Sequence, residues 1–109
     1  MSETEKLIQL LVQFRDDRDW EQFHNTKDLA VALNIEAAEL LELFLWKDAN
    51  EADRDRVAEE LADVFAYALL LADKYDLDVV DIVERKVQQN RIKYPVDKAK
   101  GSAKKYDEL

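Results

Sequence analysis

The chain has 109 residues and a formal net charge of −9, from 25 acidic and 16 basic side chains with His24 neutral. That is the length of one domain, and its single glycine (Gly101) and single proline (Pro95) leave residues 1 to 94 without the residues that break helices or make tight β-turns. Sandwiches, Rossmann units and phosphate-cradling glycine loops are strongly disfavoured, and the lack of cysteine removes disulfides, thiolate metal sites and thiol nucleophiles.

Apolar spacing and capping residues predict four helices and an all-α fold. The first opens at Ser2, with Glu5 completing a capping box, sets Leu7, Ile8, Leu11, Val12 and Phe14 on one side, and fades in the charged stretch Arg15 to Asp19. An aromatic connector, Trp20 to His24, leads to a second helix from Asn25 or Thr26 to about Lys47. Asn50 caps a third that runs to about Tyr75. Asp78, with Asp81 three residues on, caps a fourth. Pro95 ends it near Tyr94, because the residue before a proline is pushed out of helical geometry.

Residues 95–109 read as an extended tail, and residues 1–109 as one domain. With 48% hydrophobic residues the chain builds a core, but a helical domain this small gains from association, so oligomerisation is expected. The N-terminus is polar, without the apolar stretch of a signal peptide. The longest apolar run, Val64 to Ala72, spans nine residues, about half of a membrane-spanning helix. The expected location is the cytoplasm, with no membrane partner.

Charge is concentrated. Residues 36–63 carry ten acids against three bases, a net charge of −7, whereas from Arg91 onward six bases face three acids. An acidic centre with a basic tail suits a chain that handles both a cation and an anion. Nucleic acid is a poor partner at this net charge, since the phosphate backbone would be repelled by all but the tail.

The two central helices are unusually apolar. Between Leu29 and Trp46 the polar residues are Asn34, Glu36, Glu39 and Glu42 alone, and Glu59, Glu60 and Asp63 directly precede the apolar run of the third helix. Such helices are expected to be buried on several faces. Glu36 with Glu39, and Glu60 with Asp63, are each three apart and so share a helix face. If the helices pack antiparallel, four carboxylates converge. In an apolar setting they must protonate or be neutralised by a cation. With no cysteine and no helical histidine, that cation is magnesium or manganese. Carboxylates that leave coordination positions to water and phosphate serve phosphoanhydride chemistry. Acid pairs also decorate ordinary solvated helices, and that alternative stays open here. A di-iron carboxylate bundle is discounted, because that site wants Glu-x-x-His on two helices and the one histidine, His24, sits in the connector.

The run Ile35 to Lys47, followed by Glu60 to Val64, resembles the Glu-x-x-Glu and Glu-x-x-Asp pattern of the MazG-like, all-α nucleoside triphosphate pyrophosphohydrolases. Arg18 to His24, Asn90 to Val96 and Gly101 to Tyr106 are similar to the dCTP pyrophosphatase branch of that family. The resemblance implies a four-helix bundle-type protomer that assembles into a homodimer or homotetramer. It implies a magnesium-dependent hydrolase that cleaves a (d)NTP, dCTP or a modified pyrimidine dNTP, to the monophosphate and pyrophosphate, in nucleotide-pool cleansing. The implied metal ligands are Glu36, Glu39, Glu60 and Asp63. Trp20, His24, Trp46, Tyr67, Lys86 and Asn90 are the implied substrate contacts. Two indoles could sandwich a base, with stacking worth roughly 1–3 kcal/mol. The tail lysines would offset charge on the leaving pyrophosphate. Glu39 is the expected water-orienting catalytic residue and Glu36 the second candidate. The competing class is a non-catalytic helical interaction or regulatory module whose acids are solvated.

Overall fold

The computed structural model describes residues 1–109 and contains helices and connecting turns without strands. By their internal contacts the residues fall into two compact units, Met1–Leu77 and Asp78–Leu109.

The first unit holds α1 (Glu3–Asp17), α2 (Thr26–Glu42) and α3 (Arg54–Lys74). Ser2 starts α1 with the expected capping box: its hydroxyl accepts from the Glu5 N–H at 3.1 Å while Glu5 accepts from the Ser2 N–H at 3.2 Å. The connector winds into a 3-10 turn at Glu21–Phe23. It is tied to α3 by the Lys74 ammonium on Glu21, 3.2 Å. Asn25 caps α2 by accepting from the Asp28 N–H at 2.8 Å.

Two boundaries differ from expectation. Apolar spacing predicts a second helix as far as Lys47, but α2 ends at Glu42. Beyond it the N–H groups of Leu43, Phe44 and Leu45 bond three residues back, tightening the last turn, and Trp46 then takes φ +62°, which no helix continues. Asn50 is the predicted cap of the third helix. That residue instead lies in a 3-10 turn, Ala49–Glu51, Ala52 is extended, and Asp53 caps α3 by accepting from the Asp55 N–H at 3.0 Å.

α3 is the spine of this unit and packs on both α2 and α1, more extensively on α2. The core is Leu29, Leu43, Leu69, Leu70 and Ala72. The central helices are less covered within the chain than their apolar sequences predict: Val31, Ile35 and Leu41 are exposed around α2, and Leu61 and Phe65 on α3. Burial of those faces is not supplied by this chain's first unit.

The second unit comprises α4 (Val79–Lys93) and α5 (Val96–Ala99). Asp78 caps α4 by accepting from the Asp81 N–H at 3.0 Å, and the helix stops at Tyr94 before Pro95, as the proline requires. The tail is not extended throughout. Proline fixes its own φ near the helical value and so favours the turn that follows, here the one-turn α5, and a 3-10 turn closes the chain at Tyr106–Glu108. Tyr106 packs edge-on to Tyr94 at 6.2 Å between centroids, with the Lys93 ammonium 4.9 Å from its ring centre.

Candidate functional site

α2 and α3 bring the two acid pairs together. Glu36, Glu60 and Asp63 each offer a carboxylate oxygen within 4.8 Å of the others. The fourth acid, Glu39, stands outside that trio but lies against both Glu36 and Glu60, whose carboxyls it perturbs by hydrogen bonding and by charge. The convergence follows from sequence locally: spacing of three on each helix puts each pair on one face, and the α2·α3 packing turns the faces toward each other.

Two of these acids, Glu36 and Glu60, resist ionisation. Burial first, and then Glu39, Asp63 and Glu60, raise the Glu36 carboxyl to about 7. Burial followed by Glu39 and Asp63 pushes Glu60 up, opposed only by Arg56. One oxygen of each, Glu36 Oε2 and Glu60 Oε2, is buried without any hydrogen-bond partner. Buried acceptors are almost always satisfied, so two orphaned carboxylate oxygens facing a third carboxylate are the donor set that a hard divalent cation takes.

Beside the carboxylates lies a cavity of about 260 Å³, walled by Phe14, Trp20, Tyr67 and Leu70, with His24 and Asp63 also on its lining. Asp63 thus belongs to both the acid cluster and the cavity. Tyr67 sits one turn after Asp63 on α3; burial, then the charges of Glu36 and Asp63, raise its pKa. The His24 ring meets Tyr67 edge-on at 6.4 Å between centroids. Burial, then the cations Arg15 and Lys74, lower the His24 pKa, and its Nδ1 is buried without a partner. Trp20 meets Phe14 edge-on at 5.8 Å.

Trp20, His24 and Tyr67 therefore share one cavity. Trp46 does not: it is fully exposed and is not part of this cavity's wall. Lys86 and Asn90 are exposed on α4 in the second unit. The cavity also includes Leu11, Phe14 and Arg15 of α1. The first two are legible in the sequence only as core spacing. Arg15 is hidden there in a charged stretch, and its 7% residual exposure arises from tertiary packing that no local pattern announces.

The MazG-like family model matches residues 31–109. Mouse dCTP pyrophosphatase 1 is 40% identical, with 96% of this chain and 66% of the relative covered. The human protein of the same name is 41% identical, with the same shares covered. The chain thus spans slightly less than two thirds of the length of these relatives. A pyrophosphatase of known structure from Archaeoglobus fulgidus aligns with a TM-score of 0.81 and 39% identity, over 87% of this chain and 94% of that one.

Proposed function

Because the chain belongs to the MazG-like family, we propose that it is a divalent-metal-dependent nucleoside triphosphate pyrophosphohydrolase, converting dCTP or a modified pyrimidine dNTP to the monophosphate and pyrophosphate. The observation that carries this reading is the convergence of Glu36, Glu60 and Asp63 around two orphaned carboxylate oxygens. The similarity to dCTP pyrophosphatase 1 and to the Archaeoglobus fulgidus pyrophosphatase supports the reaction and, through the former, the base.

Glu36, Glu39, Glu60 and Asp63 would hold Mg²⁺ or Mn²⁺. When bound, such an ion neutralises charge on the phosphates and on the departing pyrophosphate. Glu39 orients the attacking water and accepts its proton as the oxygen forms its bond to the α phosphorus. The bond from that phosphorus to the α–β bridging oxygen breaks, and the electron pair leaves with pyrophosphate. Glu36 is the second candidate for this role. Trp20 offers a stacking surface for the base, and the Tyr67 hydroxyl, one turn from Asp63, contacts the sugar. His24, its pKa lowered, meets the substrate as a neutral ring.

Residues 1–109 act as one catalytic domain that removes unwanted nucleotides from the cytoplasmic pool. The apolar side chains of α2 and α3 left exposed in the chain support self-association as a homodimer or homotetramer. No helix is long and apolar enough to cross a membrane.

The test is product analysis over a panel of canonical and modified deoxynucleoside triphosphates with Mg²⁺ and with Mn²⁺. Pyrophosphate as first product is expected. Orthophosphate as first product would reject α–β cleavage, and no turnover with either ion would favour the interaction module.

A further inference from the structure

The cavity holds one charged group to which the proposed reaction gives no task. Arg15, in the last turn of α1, is the buried charged residue of the chain, and its side chain is 8% exposed. Its Nε donates to Asp16 Oδ1 at 2.9 Å, and that carboxylate is itself 47% exposed. A guanidinium carries five N–H donors, so the four on its terminal nitrogens are without an acceptor in the protein. The terminal nitrogens are not fully enclosed, so their free donors remain accessible to a molecule in the cavity. The nearby acids do not take up the slack, since Arg15 makes its ion pair with Asp16 and with none of Glu36, Glu39, Glu60 or Asp63.

The position of the group narrows what could complete it. Arg15 lines the same cavity as Trp20, His24 and Tyr67, and its charge is felt at the His24 ring. The rest of that wall is Leu11, Phe14, Ala66 and Leu70, with Asp63 on the side of the acid cluster, a lining for a flat apolar-faced molecule; a polyphosphate would instead be held through a divalent ion at the carboxylates. A guanidinium fork inside an aromatic-walled pocket matches two acceptors on adjacent ring positions, the geometry with which arginine reads a ring nitrogen beside a carbonyl.

We propose that Arg15 is the base-reading residue of this cavity, its terminal nitrogens donating side by side to a ring nitrogen and the neighbouring carbonyl oxygen. Cytosine presents that pair at N3 and O2. Uracil and thymine place an N3–H donor between their two carbonyls and cannot satisfy the fork. The inference rests on the nucleotide hydrolase reading above and adds to it the group that sets the base preference.

The experiment compares wild type with Arg15→Met, which keeps the stem, and Arg15→Lys, which keeps the charge without the fork. Both variants should lose about 10- to 100-fold in kcat/KM for dCTP, the worth of a bidentate arginine contact, and much less for dTTP and dUTP, so that discrimination collapses. Inhibition by inorganic tripolyphosphate should be unchanged. A uniform loss on every nucleotide together with weaker tripolyphosphate inhibition would overturn the proposal by making Arg15 a phosphate ligand. An unchanged substrate profile in folded variants would overturn it by making the residue structural. If Arg15→Met fails to fold by circular dichroism, Arg15→Lys decides alone. Calorimetric titration with deoxycytidine separates the two levels: wild type that binds it, and Arg15→Lys that does not, upholds the base reading even if dCTP is never hydrolysed. Wild type that hydrolyses dCTP with no preference over dTTP upholds the reaction and rejects the role of Arg15.

Discussion

The carboxylate cluster and the aromatic cavity share α3 and meet at Asp63, yet they face opposite electrostatic problems. The cluster gathers acids around two unpartnered oxygens. The cavity buries a cation whose terminal donors have no acceptor. Neutralising one with the other would have been the simplest packing solution, and the chain instead ties Arg15 to its exposed neighbour Asp16. Charges kept apart in this way suit a ligand that arrives with a cation at one end and hydrogen-bond acceptors at the other. A metal-bound nucleotide has that form.

The comparison breaks most decisively at Glu39. If the cluster performs chemistry, Glu39→Gln should cut turnover about 10²- to 10⁴-fold, the usual worth of a positioned general base, at saturating Mg²⁺. Pyrophosphate release at the wild-type rate would sink that assignment. Next comes the metal itself. An ion that binds only the folded state adds about 2.7 kcal/mol at one hundred times its dissociation constant, so melting curves with and without Mg²⁺ should separate clearly. Response to NaCl of matched ionic strength alone would return the acids to the solvated-face reading.

A third outcome concerns pH. The folded state holds the Glu36 proton up to about 7, against 4.5 for the free group. Folded protein therefore binds more protons than the unfolded chain between those values. The Glu36 contribution to the stability of the metal-free protein should be fully present below pH 4.5, be lost as pH rises toward 7, and level off above; Glu60 acts in the same direction, and the lowered His24 pKa acts against it. Mg²⁺ should flatten the slope, and Glu36→Gln should reduce it. A Glu36→Gln variant with the same pH dependence of metal-free melting from about pH 5 to 7 as the wild type would contradict the raised Glu36 carboxyl.

The features legible in the sequence are the local ones. Ser2 with Glu5, Asn25 with Asp28 and Asp78 with Asp81 each combine a capping side chain with the backbone N–H three residues on, a pairing that depends on nothing beyond one turn of chain. The three-residue spacing of the acids likewise survives folding, because a helix preserves it. Asn50 misleads because several capping residues lie within one short stretch, and extended Ala52 hands the role to Asp53. The exposure of Trp46 is not legible, because it follows from a late turn in backbone geometry that sends its ring outward. Arg15 is illegible for a different reason: burial of a charge depends on which helix covers it, and α1 meets α3 from far away in sequence.

The scarcity of glycine has a counterpart in the backbone. Three residues other than glycine take positive φ: Asp19 at 54°, Asp76 at 54° and Trp46 at 62°. Aspartate tolerates the left-handed region through its short polar side chain, but a bulky aromatic there costs about 1–2 kcal/mol. With Trp46 wholly in solvent, no packing within the chain offsets that strain. Trp46→Gly should therefore melt higher than wild type as the isolated chain, inverting the usual rule that trimming a large apolar side chain loosens a protein. Measured at rising protein concentration, the sign of that change becomes a gauge of assembly: it stays positive for as long as the indole has nothing to rest on, and reverses once a neighbouring molecule covers it.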